Sequence, residues 1–257
     1  MKILIATHKP YQIPEISGYQ PIMVGSALRD EVPAGYLRDD QGENISSLNP
    51  FFNELTALYW AKYNLRDEDI VGLAHYRRYF GTKSSHNLAD ILSQEQIYDA
   101  LEKVDVLLPK QRNYYIESQE NHYLNAHKNE PYFMMQDVIK ESFPEYLSAF
   151  QQMGQSKKAH LFNMAIMKQA DFQSYTDFMF GVLNQVAQRI PYESYEGQDR
   201  RVFGFLSERL MDTWLYTNHK TFQDFPLVTT EKTNWLDKGT QFLKRKFFKN
   251  TNKKVHF

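Results

Sequence analysis

The residues with the plainest chemical promise lie in one run, Gly72-Leu73-Ala74-His75-Tyr76-Arg77-Arg78-Tyr79-Phe80. A guanidinium is a planar fork of N–H donors that matches phosphate oxygens. Two adjacent arginines with an imidazole beside them therefore suit a diphosphate or a similar anion. The run continues a short apolar segment of the buried-strand kind that begins at Ile70-Val71. Ligands of open α/β sheets collect beyond the carboxyl ends of strands, and these side chains fall at such an end. The plain alternative is a pair of structural salt bridges with tyrosines stacked on them. Placement after a strand favours the anion site.

Elements that could position such residues follow from the pattern of apolar runs and breakers. Lys2 to Ala6 reads as a buried opening strand, stopped by Thr7-His8-Lys9-Pro10, and Pro21 to Val24 as a second, ended by Gly25. Arg38 to Asn44 is a polar turn segment. Asn49-Pro50 opens a helix that runs to about Asn64, with Asn as N-cap and Pro at the first helical position. Ser93-Gln94-Glu95-Gln96 is a capping-box start to a helix ending near Lys103, followed by a strand from Val104 to Leu108. Pro131 starts a helical stretch interrupted by Pro144. His160 to Met167 reads as a strand, and Asp171 to Arg189 and Asp199 to Thr217 as helices. Short apolar strands alternating with helices predict an α/β fold, a mostly parallel central sheet flanked by helices. The strand-end rule then selects Thr7, His8, Lys9, His75 to Tyr79, Lys110 and the neighbourhood of Asn163.

Bulk properties narrow the function classes. A chain of 257 residues with 42% hydrophobic and 24% charged content suits one globular α/β domain. It has no cysteine, which excludes disulfides, thiolate metal sites and a thiol nucleophile. No stretch approaches the ~20 apolar residues that span a bilayer, and the short opening run does not make a signal peptide, so a cytoplasmic location is expected. From Glu231 onward eight Lys/Arg face two Asp/Glu, a balance of +6. With a net charge of −1 for the whole, the rest carries −7, which argues against nucleic acid as a partner. The chain accordingly divides into a body over 1–230 and a basic tail over 231–257. Aromatic content is high, 17 Tyr, 18 Phe and 3 Trp, and such rings fill cores and also line sugar and nucleobase pockets.

Several segments together resemble a family of bacterial capsule and exopolysaccharide glycosyltransferases, long catalogued as a domain of unknown function and including galactofuranosyltransferases. They are Ala6-Thr7-His8-Lys9, Asn44-Ile45-Ser46 with Asn49-Pro50, Glu54-Leu55-Thr56 with Tyr59-Trp60, and the His75-Tyr76-Arg77-Arg78 run. Leu108-Pro109-Lys110 with Asn113-Tyr114-Tyr115, His160 to Met164 and Arg201 to Leu210 complete the set. The resemblance implies a GT-A-like nucleotide-binding sandwich. It also implies transfer of a hexosyl residue, galactofuranosyl in some members, from a UDP-sugar to a lipid-linked or oligosaccharide acceptor. Transfer from a pyranose donor on the same fold stays open, as does a carbohydrate- or nucleotide-binding module without turnover.

In GT-A folds an Asp-x-Asp usually holds a divalent metal on the diphosphate, whereas this chain has His75-Tyr76-Arg77 at the corresponding strand end. Asp67-Glu68-Asp69 fits the pattern but precedes the strand, and reads as a solvated turn at the opposite sheet edge. Mg²⁺ takes oxygen ligands, so His75 with two arginines is a poor offer. No essential Mg or Mn is expected, and Arg77 and Arg78 would stabilise the departing diphosphate. Thr7, His8, Lys9, Asp40, Asn44, Tyr76 and Lys110 are further donor-side candidates, Lys9 and Asp40 having surface and turn roles as alternatives. An inverting transfer needs a base for the acceptor hydroxyl. Asp199, which would otherwise be an N-cap, Glu208, two helical turns beyond Arg201, and His122 are the candidates. His127, Asn163 and Arg201 are candidate acceptor-binding residues. In the tail Trp235, Leu236, Phe242, Leu243 and Phe247 recur at helical spacing among lysines, which predicts docking on an anionic membrane, peripheral at the inner face.

Overall fold

A computed structural model describes residues 1–11 and 13–231 of the chain. The basic tail and its expected membrane docking lie, apart from Glu231, outside the described residues.

Eleven strands and nine helices are described: β1 Lys2–Thr7, β2 Tyr19–Met23, β3 Leu37–Arg38, α1 Asn49–Phe52, α2 Leu55–Asn64, β4 Ile70–His75, β5 Arg78–Phe80, α3 Gln94–Leu101, β6 Val106–Pro109, β7 Arg112–Asn113, α4 Gln119–Ala126, α5 Glu130–Ser142, α6 Pro144–Gln155, β8 Lys158–Ala159, β9 Ala165–Lys168, α7 Gln169–Ala187, α8 Val202–Ser207, α9 Leu210–Thr217, β10 Phe222–Phe225 and β11 Leu227–Thr229. The main sheet runs in the order β10-β6-β9-β4-β1-β2-β3. Parallel pairing joins β3, β2, β1 and β4, and also β6 and β10, while β9 runs antiparallel to both its neighbours. The sheet is therefore mostly parallel. β5 turns back antiparallel on β4, and β11 pairs antiparallel with β5.

Both faces of the sheet are covered, which is why its strands read as continuous apolar runs. Leu4, Ala6, Val71, Leu73, Val106 and Leu108 point into one core, closed by residues of α2, α5, α7, α8 and α9. Ile3, Ile5, Ile70, Ala74 and Leu107 point into the other, with Ile97 and Leu101 of α3 and Tyr79 and Phe80 of β5. At α3 the capping box is formed as its sequence predicts, Ser93 accepting from the Gln96 N–H and Gln96 returning the bond.

Three expected elements are differently cut. The helix from Asp199 to Thr217 is divided into a short helical turn, Gly197–Arg201, then α8 and α9, which part at Glu208 and Arg209. The helix from Asn49 to Asn64 breaks at Asn53, whose φ is 52°, so that α1 and α2 are separate. Of the expected 160–167 strand only the part from Ala165 pairs in the sheet, as β9. The residues before it form a corner with Phe162 at φ 74° and Asn163 at φ 53°, values that no strand allows. All three breaks, at Asn53, Phe162 and Glu208, face the same cavity.

Candidate active site

Strands β2 and β3 lie on one side of β1 and β4 on the other, so the direction of winding reverses between β1 and β4. At such a switch the loops after the two strands part and leave a crevice beyond their carboxyl ends. A cavity of about 580 Å³ occupies that place. Ala6, Thr7 and His8 come from the end of β1, and His75, Tyr76, Arg77 and Arg78 from the end of β4 and its turn into β5. After β2, Gly25 at φ 69° turns the chain into a short helical turn, Ser26–Leu28, that delivers Arg29. Asn49, Asn53 and Glu54 at the α1–α2 junction form another wall, and Arg201, Gly204, Phe205 and Glu208 around α8 another, beside Phe162.

Four guanidinium groups, Arg29, Arg77, Arg78 and Arg201, therefore share one cavity. Arg77 Nη1 lies 2.9 Å from Glu231 Oε2 at the rim, and its guanidinium stands 4.9 Å from the Tyr76 ring. Arg78 is stacked on Phe162 at 4.4 Å, and burial, then Arg77, lower its pKa. Neither Arg29 nor Arg78 has a carboxylate partner among the described residues, and Arg29 Nε is buried with no hydrogen bond. His8 feels the same field: burial lowers its pKa, and Lys9, Arg77, Arg29 and Arg201 lower it further. Partly buried guanidinium groups without a carboxylate partner have the chemistry to suit an anion.

Carboxylates gather beside the 162–163 corner. Glu208 is 8% exposed and accepts the Phe162 N–H at 2.8 Å, and burial raises its pKa against the pull of Arg209. Glu54 accepts from Asn163 Nδ2 at 2.7 Å. His75 Nε2 is 2.7 Å from the Phe162 carbonyl, which can only accept, so Nε2 carries the proton. Burial lowers the His75 pKa despite Glu54, leaving a neutral ring with a bare Nδ1. The corner thus sets an imidazole and two carboxylates in one place, at a backbone cost of roughly 1–3 kcal/mol per strained residue.

Residues 2–220 match the family described as Domain of unknown function (DUF4422). The chain belongs to the DUF4422 family. It is also similar to the solved apo structure of WbbM, a bifunctional glycosyltransferase, with a TM-score of 0.82 and 26% identity over 90% of this chain. The chain spans 45% of that protein's length. No curated protein matches. This DUF4422 chain is thus built as a glycosyltransferase-like α/β domain.

Of the residues its sequence singles out, Thr7, His8, His75, Tyr76, Arg77, Arg78, Arg201 and Glu208 line the cavity of the DUF4422 domain. Asn163 stands just behind, bonding Glu54, the Gly204 carbonyl and Ser207. The others are placed elsewhere. Lys9 is exposed, with Nζ 5.7 Å from the Tyr76 ring centre. Asp40 is bound to Arg38, and Asn44 donates to the Asp40 and Gly42 carbonyls within its own turn. Lys110 is exposed after β6, separated from β4 by β9. His122 bonds Glu117 and stacks on Tyr114. His127 packs on Phe205, 3.6 Å from Asp199, and burial lowers its pKa to about 4. Asp199 also accepts the Lys128 N–H.

Arg29, Asn53, Glu54 and Phe162 line the cavity without having been singled out for chemistry. The strand-end rule extended past Gly25 would have reached Arg29. The other three depend on helix and strand breaks that no residue pattern announces. Glu68 and Asp69 each lie 2.7 Å from the Met1 amino group, at the opposite end of β1 from the cavity. Among the described residues no group of three or more His, Asp and Glu is placed to hold a metal ion.

Proposed function

We propose that this domain is a GT-A-type glycosyltransferase that moves a hexosyl residue from a UDP-sugar to a cell-surface glycan acceptor. The observation that carries the reading is the set of four arginines around a crevice at the β1–β4 switch, two of them without a carboxylate partner among the described residues. A nucleoside diphosphate supplies the charge that this set lacks, and the arginines stabilise it as it departs without calling on a metal. Similarity to a bifunctional glycosyltransferase supports the reaction class. A galactofuranosyl donor and a capsule or exopolysaccharide acceptor rest on family resemblance, and docking of the tail on an anionic membrane rests on its basic composition.

The acceptor hydroxyl attacks the anomeric carbon, forming one C–O bond as the C–O bond to the β-phosphate breaks. Direct displacement of this kind inverts the anomeric centre. The hydroxyl proton passes to a carboxylate, and UDP leaves as the anion held by the arginines. Glu208 is suited to take that proton because burial makes it more basic than an exposed carboxylate. Glu54 and His75 line the same cavity.

The test is release of UDP from a panel of UDP-hexoses with a synthetic lipid-linked acceptor, in excess EDTA. Turnover should persist, and Glu208→Gln should lower kcat by roughly 10²–10⁴. Absence of UDP release with every donor, with or without added Mg²⁺ or Mn²⁺, would leave a binding module. Turnover that EDTA abolishes and a metal restores would remove the arginine-only mechanism.

A further inference from the structure

Asn53 stands between α1 and α2 with φ 52° and ψ −129°, a conformation that suits glycine and that other residues adopt only when their surroundings enforce it. The enforcement is visible. Its N–H donates to the Asn49 carbonyl at 2.8 Å, and its own carbonyl accepts from Asn49 Nδ2 at 2.8 Å and from the Thr56 N–H at 3.2 Å. Thr56 is in turn bonded to the buried carboxylate of Asp39. The residue so held lines the cavity, and its Oδ1 is buried with no hydrogen-bond partner. Gly204 faces it closely: a Cβ at 204 would stand 2.7 Å from that oxygen. Enforced strain and an unsatisfied polar atom on one cavity-lining residue are together a signature of ligand recognition.

The surroundings select the ligand chemistry. Asn53 adjoins Glu54, and Gly204 lies one helical turn before Glu208, so a phosphate is repelled here while a neutral polyol is not. With Oδ1 turned against Gly204, a sugar hydroxyl can accept from the Asn53 amide N–H and donate to either carboxylate. We propose that Asn53 is a specificity-determining residue whose side-chain amide hydrogen-bonds a ring hydroxyl of the sugar carried by the donor, Gly204 leaving the amide its space. This rests on the transferase reading above.

Calorimetric titration of the full chain with UDP and with each UDP-hexose, without acceptor, tests it. Wild type should bind one UDP-hexose more tightly than UDP. Asn53→Gly, whose backbone is at ease at this φ, should keep or raise Tm, leave UDP affinity within twofold, and shrink the preference for the UDP-hexose by about fivefold to tenfold. Gly204→Ala, which pushes the amide aside from within a helix, should do the same. An unchanged preference in both variants, or an equal loss for UDP and UDP-hexose, would overturn the inference. Equal wild-type affinity for UDP and every UDP-hexose overturns it alone. No binding of any of them removes the transferase reading as well.

Discussion

Arg77 and Arg78 are neighbours in sequence, yet the structure gives them different electrostatic debts, and a diphosphate should report the difference. Arg78 is stacked on Phe162 with no carboxylate partner among the described residues, so a bound phosphate gains a full charge-assisted hydrogen bond, about 1.5–3 kcal/mol. Arg78→Ala should weaken UDP about 10-fold to 150-fold. Arg77 must first give up Glu231, and both side chains are partly exposed, 38% and 47%, so that pair is worth only about 0.2–1 kcal/mol. Arg77→Ala should therefore cost less than Arg78→Ala, and Glu231→Gln should tighten UDP by about 1.5-fold to fivefold. Stability should move the other way. A desolvated, unpaired guanidinium is costly, so Arg78→Met should raise the Tm of the unliganded protein. Titration calorimetry at low salt gives the affinities, and thermal melts the stabilities. UDP binding unchanged in Arg78→Ala, or weakened in Glu231→Gln, would refute this account of the cavity.

Two further outcomes follow from buried charges outside the cavity. Burial would lower the pKa of His160, but Asp212 and Asp224 hold its two ring nitrogens and raise it to about 9. A raised pKa gives stability that is full below the unfolded value near 6.5 and lost as pH rises through about 9, on the order of 3 kcal/mol. Tm should fall over that interval, and His160→Gln should flatten the profile. Asp39, fully buried, accepts from the Gly25 and Ser26 N–H groups, from Ser46 and from Thr56. Asp39→Ala strands these donors and should cost about 3–5 kcal/mol by urea unfolding.

Much of the architecture could be read from residues alone because buried parallel strands are written as uninterrupted apolar runs. Lys2–Ala6 and Ile70–Ala74 are such runs, and the residues after them do meet at one cavity. The strand-end rule could not weigh one strand end against another. It selects Lys110 as readily as His75, and only the reversal of winding between β1 and β4 makes the second end a crevice and leaves the first outside it. Side-chain chemistry without position also misdirects between neighbours. Asp40 is drawn into a local pair with Arg38, while Asp39, alike in type and one residue away, is the buried hub of the loop. Asn53 stayed hidden because an asparagine at φ 52° has no signature in composition or periodicity, and Glu54 entered only through the segment Glu54-Leu55-Thr56, without a role. The structure imposes that φ through Asn49 and Thr56.

Strand β10 is the outermost strand at one margin of the sheet, bonded to β6 and, through Asp224, to His160. Four residues after β10 ends at Phe225 the same stretch has crossed to pair Thr229 with Arg78, and Glu231 reaches Arg77. Residues 222–231 thus work as one continuous tether between the sheet's margin and the mouth of the crevice. Anyone grafting loops between relatives of this domain would have to carry that decapeptide whole. A junction placed within it would pair one protein's sheet edge with another's arginines.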